Sequence, residues 1–377
     1  MISAARSVAF CLLLITVPFA ARCAEREPVP ATTEVGTLQG AAYRIDVPTE
    51  WNHGLVVFYH GYAVTPVTFE KRERISPMFD GMLARGFAVI QSAYSATGWA
   101  VEEGAADTER LRLAFLAKHG EPKQTFVSGM SMGGTLTVMA IENHPELYAG
   151  ALSLCGALEP SDRLMQRDFA LLAAFDHYYP GIIGPLVPVS ADFMPTDAVI
   201  ARIVSAFRAN PDGARALLSF YGVGDGSTMA DVVAFNVFEI KEMQQRLHGN
   251  PFGNADLVYT GSGDDFALNA GVRRYRADAA AAERMARYYT PSGKLTRPLL
   301  ALHDTGDPLV PASTAFEYAL AAQRAGHGDN FVQQFVNKRG HCVFTPDEID
   351  RAFGELLDWV RDGKRPAPGP LHADSRR

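Results

Sequence analysis

The alternation of short apolar runs with longer helical stretches constrains the fold of this chain more than any other feature. After a polar beginning at 35–47, strand-forming runs lie at 55–59, 87–94, 125–128, 151–155, 298–303 and 331–336, and helix candidates lie at 69–85, 109–119, 132–143, 313–325 and 346–361. Strands that alternate with helices in this way predict parallel strands joined by crossover helices. The chain is therefore expected to form an α/β fold, with a mostly parallel sheet flanked by helices.

One connection is far too long for a crossover. Residues 156–296 separate the strand predicted at 151–155 from the strand predicted at 298–303. They contain helical stretches such as 198–207 and 229–247. A structureless loop of this length is not expected inside a compact domain. The pattern predicts a core of residues 25–155 and 297–363, a mainly helical cap or lid inserted at 156–296, and a flexible C-terminal tail at 364–377.

The N-terminus has the features of an export signal. A basic residue precedes an apolar stretch at 8–21 that is too short to span a bilayer, and Pro18 argues against the alternative of a buried N-terminal helix. Arg22 interrupts both a small-residue cleavage pattern and a lipoprotein box at Cys23. We expect residues 1–24 to be removed and the protein to be secreted or periplasmic, without lipid anchoring at Cys23 and without stable membrane insertion.

Composition excludes several classes of protein. The chain has 35 Lys and Arg against 42 Asp and Glu, for a formal net charge of −7, so it has no basic excess to neutralise nucleic-acid phosphates. It contains no H-E-x-x-H, paired C-x-x-C or P-loop motif. Neither a nucleic-acid partner nor a metal or other cofactor is predicted.

The segment 129–133, Gly-Met-Ser-Met-Gly, lies directly after an apolar strand and directly before a helix. Small residues at its two ends allow a sharp turn that would hold the Ser131 hydroxyl above the sheet at a helix N-terminus. An ordinary glycine turn is the alternative interpretation. The strand–turn–helix context favours a nucleophile.

A serine nucleophile needs an imidazole to take its proton and a carboxylate to orient that imidazole. The two strands after the long insertion are followed by such groups: Asp304 and Asp307 after the first, and His341 after the second. Asp304, nearer the strand, could instead stabilise its turn, and His341 could be an ordinary loop histidine. The chain order Ser, Asp, His, with each residue after a separate strand, favours a triad.

These residues resemble those of the α/β-hydrolase superfamily, specifically secreted bacterial serine esterases and lipases with a lid, over residues 40–155 and 297–363. The resemblance implies that Asp307, which precedes Pro-x-Val, is the triad acid. A tetrahedral intermediate also needs two donors. One would be the Met132 backbone N–H, and the other the Tyr62 N–H, because His60 and Gly61 resemble the His-Gly turn of the family.

The reaction expected is hydrolysis of a small-molecule carboxylic ester through an acyl-enzyme. A serine peptidase or amidase of the prolyl-peptidase type would use the same residues, and a non-catalytic binding protein would usually lack one triad member, whereas all three are present. His60 and Trp99 are candidate substrate contacts, although Trp99 could equally pack at the rim.

Cys155 and Cys342 are the two cysteines that remain after signal removal. One ends the strand before the insertion and the other follows His341, so both are expected at the carboxyl edge of the sheet. Export permits a disulfide between them. Two buried free thiols are the alternative.

Overall fold

The computed structural model describes residue 29 and residues 31–222, 225–288 and 290–371, so the whole predicted signal segment, residues 1–24, lies outside the described residues. Nine strands within these ranges form one sheet in the order β1-β2-β4-β3-β5-β6-β7-β8-β9. Only the pairs β1–β2 and β2–β4 are antiparallel. The strands are β1 Ala31–Leu38, β2 Ala41–Pro48, β3 Gly54–Tyr59, β4 Phe87–Ser92, β5 Gln124–Met130, β6 Gly150–Leu154, β7 Leu299–Gly306, β8 Phe331–Arg339 and β9 Gly369–Pro370.

Helices cover both faces of the sheet. Alternate residues of a strand point to opposite faces, so Val57 of β3 packs in one apolar core and Val56 in the other. The helices outside the long insertion are α1 Asp80–Ala84, α2 Val101–His119, α3 Met132–Asn143, α10 Ser313–Arg324 and α11 Pro346–Asp362. Helices α1 and α11 pack in the same core as Val56, while α2, α3 and α10 pack in the core that contains Val57. The predicted mostly parallel sheet flanked by helices is confirmed.

The segment 156–296, called the insertion below, is mainly helical. Its helices are α4 Ser161–Tyr178, α5 Asp197–Ala209, α6 Pro211–Tyr221, α7 Gly226–Arg246, α8 Asp265–Gly271 and α9 Ala279–Tyr288. Their buried side chains are continuous with the sheet core that contains Val57. A charged junction adds to this packing: Arg246 of α7 binds Glu103 of α2 at 2.8 and 2.9 Å and the Thr97 carbonyl at 3.1 Å.

Three local predictions differ from the structure. The single helix expected at 69–85 is only a 3₁₀ turn at Pro77–Phe79 followed by α1, because Pro77 holds Ser76 in an extended conformation. The polar beginning at 35–47 is a hairpin of two strands. The tail expected to be flexible at 364–377 contains β9, Gly369–Pro370, which pairs with β8, while residues 372–377 lie outside the described residues. Among the described helices, none has the length and apolar character needed to cross a membrane.

Candidate active site

Ser131 lies in a sharp turn between β5 and α3. Its backbone has φ 56° and ψ −124°, a conformation that costs energy for a residue with a Cβ. The turn needs glycine on both sides: a Cβ on Gly129 would collide with the Gly133 carbonyl, and one on Gly133 would collide with the Tyr59 carbonyl. The serine hydroxyl is therefore held at the N-terminus of α3, at the carboxyl edge of the sheet.

The loops after β7 and β8 bring an acid and a histidine to this serine. The His341 Nε2 atom lies 2.7 Å from Ser131 Oγ, and its Nδ1 atom lies 2.6 Å from Asp307 Oδ2. The three side chains thus form a continuous hydrogen-bonded chain. In this arrangement the imidazole can accept the serine proton at Nε2 while Nδ1–H donates to the carboxylate.

Asp307 is fixed in its ionised form. Its Oδ1 atom accepts hydrogen bonds from the Leu309 and Val310 amides, both at 2.9 Å. Burial opposes ionisation, but nearby His303 and the hydrogen bond from His341 outweigh it and lower the pKa of Asp307 to about 2. The His303 Nε2 atom is 3.6 Å from Asp307 Oδ2 and bonds the Val310 carbonyl at 2.8 Å, so its influence on the acid is mainly electrostatic.

Asp304, the alternative acid, lies elsewhere in the loop. It is fully buried, and its Oδ2 atom accepts a hydrogen bond from the Val343 amide at 3.2 Å. Burial raises the pKa of Asp304 to about 6. The contact with Val343 supports the segment that carries His341 and does not reach the imidazole nitrogens. The geometry thus assigns the histidine contact to Asp307.

The Gly61–Tyr62 peptide passes directly over Ser131. A Cβ on Gly61 would lie 3.1 Å from the Ser131 Cβ and 3.3 Å from the Met130 carbonyl, so a larger residue would crowd the serine. In the part of the chain that the structure describes, neither the Tyr62 nor the Met132 N–H donates to a backbone carbonyl. Two free amides beside a serine hydroxyl are what an oxyanion hole requires.

The two other candidate substrate contacts are buried. The His60 ring stacks on Tyr94 with centroids 3.8 Å apart, and its Nδ1 atom bonds the Gly61 carbonyl at 2.6 Å. Burial lowers the pKa of His60. Trp99 is 3% exposed and lies 6.5 Å from the Tyr62 ring, while its backbone N–H donates to Glu242 of α7 at 3.0 Å. In this structure both residues support the turn that carries Tyr62.

A disulfide joins Cys155, at the end of β6, to Cys342, beside His341. The two Cα atoms are 5.4 Å apart, and Cys342 Sγ is 3.5 Å from His341 Nε2. The bridge connects the entrance of the insertion to the histidine loop, which resolves the two alternatives for these cysteines. These sulfurs and His341 also form a compact set of potential metal ligands, but a sulfur in a disulfide is not a thiolate ligand.

Sequence reasoning missed the polar residues that the insertion places near this site. Arg167 of α4 donates to the Leu309 carbonyl at 3.1 Å, in the same loop as Asp307. Phe235 of α7 lies 5.2 Å from the Tyr62 ring, and Glu239, one turn later, is 3% exposed. A signal was present: charged residues interrupt the apolar faces of helices that are otherwise buried, as at Asp168 and Glu239.

Comparison with known proteins is consistent with this geometry. A family model described as "Putative esterase" matches residues 113–248. An o-phthalyl amidase from Xanthobacter agilis is 22% identical over 417 residues, which cover 91% of this chain and 90% of that protein.

Among solved structures, the acylaminoacyl peptidase of Pyrococcus horikoshii aligns with a TM-score of 0.50 and 10% identity over 92% of this chain. This chain spans only 43% of the length of that peptidase. Feruloyl esterase B from Aspergillus oryzae aligns with a TM-score of 0.48 and 13% identity over 89% of this chain and 80% of its own. The chain therefore has the α/β-hydrolase fold, with its serine turn between β5 and α3.

Proposed function

We propose that this protein is a serine hydrolase that cleaves carboxylic esters through an acyl-enzyme. The observation that carries the proposal is the hydrogen-bonded chain from Ser131 through His341 to Asp307, with bonds of 2.7 and 2.6 Å. An imidazole in contact with both a hydroxyl and an ionised carboxylate is the arrangement that activates a serine.

The residues act in a defined order. His341 takes the proton of Ser131 as the hydroxyl oxygen attacks the acyl carbon, and the carbonyl oxygen becomes an oxyanion. The Tyr62 and Met132 amides donate to this oxyanion. His341 then passes its proton to the leaving alcohol, and a water molecule activated by the same imidazole releases the acid product. Asp307 remains ionised and supports the imidazolium charge throughout.

Amide hydrolysis is the second candidate function. The observation in its favour is the o-phthalyl amidase of Xanthobacter agilis, which matches this chain over nearly the full length of both proteins. The family model described as "Putative esterase" matches a shorter segment and favours esters. The same three side chains serve both reactions, because an amide differs mainly in its need for a protonated leaving nitrogen.

The proposal includes a cap and an oxidising compartment. The insertion contacts the turn that carries Tyr62 and the loop that carries Asp307, which supports its role as a cap that selects substrates. The disulfide between Cys155 and Cys342 supports export, since such bonds persist in oxidising compartments.

Two measurements test the proposed reaction. A fluorophosphonate probe should label Ser131, and Ser131→Ala should abolish both labelling and ester hydrolysis while the far-UV circular dichroism spectrum is unchanged. Rates on p-nitrophenyl esters of graded acyl length, measured beside p-nitroanilides with the same acyl groups, should favour the esters. Labelling of a different serine would contradict the assignment, and faster anilide hydrolysis would establish the amidase alternative.

A further inference from the structure

A cluster of polar side chains from the insertion lies beside the proposed active site. Arg167 and Asp168 are on α4, Tyr221 ends α6, and Glu239 lies on α7. The Tyr221 hydroxyl donates to Asp168 Oδ1 at 2.6 Å, and the Arg167 guanidinium lies over the Tyr221 ring at 4.9 Å. Glu239 and Asp168 are each only 3% exposed. The reaction proposed above uses none of these side chains.

Arg167 has donor capacity that the protein does not use. Its three hydrogen bonds, to Asp168, Tyr221 and the Leu309 carbonyl, all leave from Nη2. The buried Nε–H has no partner among the described residues, although its side chain keeps 29% of its surface exposed. A guanidinium has five N–H donors. The Nη1 group makes no hydrogen bond to the described residues either and is not among the buried atoms, so this end of Arg167 is available to a ligand.

Two other buried groups, one on α7 and one in the turn after β3, also lack partners. In the described part of the chain, Glu239 Oε2 and the Tyr62 hydroxyl make no hydrogen bond. Burial, followed by the charges of Asp168 and Glu242, raises the pKa of Glu239 well above its ordinary value, which favours the protonated form of this carboxyl. Because unpartnered buried groups are costly, the unused donors of Arg167 and Tyr62 indicate a ligand that is rich in acceptors.

The cluster contacts the loop that carries Asp307, and its helix α7 also contacts Tyr62. Arg167 bonds Leu309, whose amide holds Asp307, and Asp307 in turn holds His341. On the other side, Glu239 follows Phe235 by one helical turn, and Phe235 contacts the Tyr62 ring at 5.2 Å. A group bound at Arg167 would therefore lie beside the loop that carries Asp307, and it would belong to a substrate whose scissile carbonyl lies at Ser131.

We propose that this cluster, with Arg167 at its centre, binds a free carboxylate on the substrate. The enzyme would then prefer esters or amides that carry a carboxylate near the scissile carbonyl, on either the acyl group or the leaving group. Asp168 uses only the Nη2 group of Arg167 and also accepts from the Tyr221 hydroxyl, so the rest of the guanidinium is left for the ligand. This inference rests on the proposed serine hydrolase function and specifies its substrate class.

The test compares matched substrates that differ only in charge. For the acyl arm, p-nitrophenyl 3-carboxybenzoate is compared with its methyl ester at the carboxyl group, and for the leaving-group arm, 3-carboxy-4-nitrophenyl acetate is compared with its methyl ester. The expected result is a kcat/KM at least about tenfold higher for the carboxylate in one arm, as a charge-assisted hydrogen bond provides. Equal rates within both pairs would overturn the inference.

Variants then locate the preference. Arg167→Gln should bring the carboxylate-to-methyl-ester ratio close to one, and Arg167→Lys, which retains a charge beside Asp168, should lower it. Because each ratio is taken within one variant, any loss of folded protein cancels. Arg163→Gln is the matched control on α4, since Arg163 is 60% exposed and pairs with Glu317 at the surface. A preference that survives both Arg167 variants would overturn the inference.

The Glu239→Gln variant distinguishes a site that binds a carboxylate from a site that binds a cation. Glutamine retains a neutral donor, so the carboxylate preference should persist. If the acids instead bound a cation, a p-nitrophenyl ester with a trimethylammonium group would be the best substrate and Glu239→Gln would impair its hydrolysis, which would overturn the inference. Hydrolysis of the methyl esters without a carboxylate preference would refute this inference alone, whereas loss of all hydrolysis and of probe labelling at Ser131 would refute the proposed function.

Discussion

Removing the disulfide between Cys155 and Cys342 should destabilise the protein substantially. The bridge closes a loop over a sequence separation of 187 residues. In the chain-entropy model such a loop contributes about 5 kcal/mol to the free energy of unfolding, by restricting the unfolded chain. For a chain of this length, about 5 kcal/mol corresponds to a decrease of about 6 °C in the unfolding temperature.

The assay is urea and thermal unfolding of the wild type and of the double variant Cys155→Ala/Cys342→Ala, each with and without dithiothreitol. The reductant should lower the stability of the wild type to that of the double variant, within about 1 kcal/mol, and should leave the variant unchanged. The reasoning is refuted if the native wild type is insensitive to reductant and iodoacetamide alkylates both cysteines in the denatured, unreduced protein.

The bridge also bears on the histidine loop. Cys342 has a φ of 59° and Cys155 a φ of 44°, so both ends of the disulfide are in backbone conformations that need support from their surroundings. Because Cys342 directly follows His341, reduction should lower kcat on a small ester more than it raises KM. An unchanged kcat in the reduced, folded enzyme would show that the β7 and β8 loops position the imidazole without the bridge.

The sheet could be predicted from the sequence because its strands are local features. All six residues of β3 are buried, and such a strand appears in the sequence as a continuous apolar run. The position of the candidate site could be predicted from the same strands. Parallel strands end at one edge of the sheet, so the polar residues after β5, β7 and β8 converge there. Ser131 and His341 were predicted from these strand ends and their order, whereas the choice of Asp307 over Asp304 needed the resemblance to the α/β-hydrolases.

The insertion could not be placed in this way, because its important contacts join residues that are distant in sequence. Arg246 meets Glu103 across 143 positions, and Arg167 meets the Leu309 carbonyl across 142. Helical periodicity identifies α5 and α7 but does not indicate which of their faces meets the sheet domain. The expected helix at 69–85 failed for a local reason, the extended residue before Pro77.

Three further predictions concern the two loops and the junction of the insertion. Asp307→Asn should lower kcat by about 10⁴, the scale for a triad acid that can no longer fix the imidazole tautomer, while Asp304→Asn should retain most activity in the same p-nitrophenyl ester assay. Burial raises the pKa of Asp304 to about 6, above its unfolded value, so ionisation of this acid destabilises the fold as pH rises from about 4 to 7. Asp304→Asn should therefore gain stability relative to the wild type over that range in urea titrations at each pH, and a pH-independent difference would contradict this. Arg246→Ala leaves two partly buried carboxylates, on α2 and α7, without their shared cation, which should cost about 3 kcal/mol. Because that cation holds α7 against the segment leading to Trp99, the same variant should raise KM for bulky esters more than for p-nitrophenyl acetate. Arg215→Ala, at an exposed pair on α6, is the control and should change neither stability nor KM, and an equal loss in both variants would mean that the junction does not hold the insertion over the site.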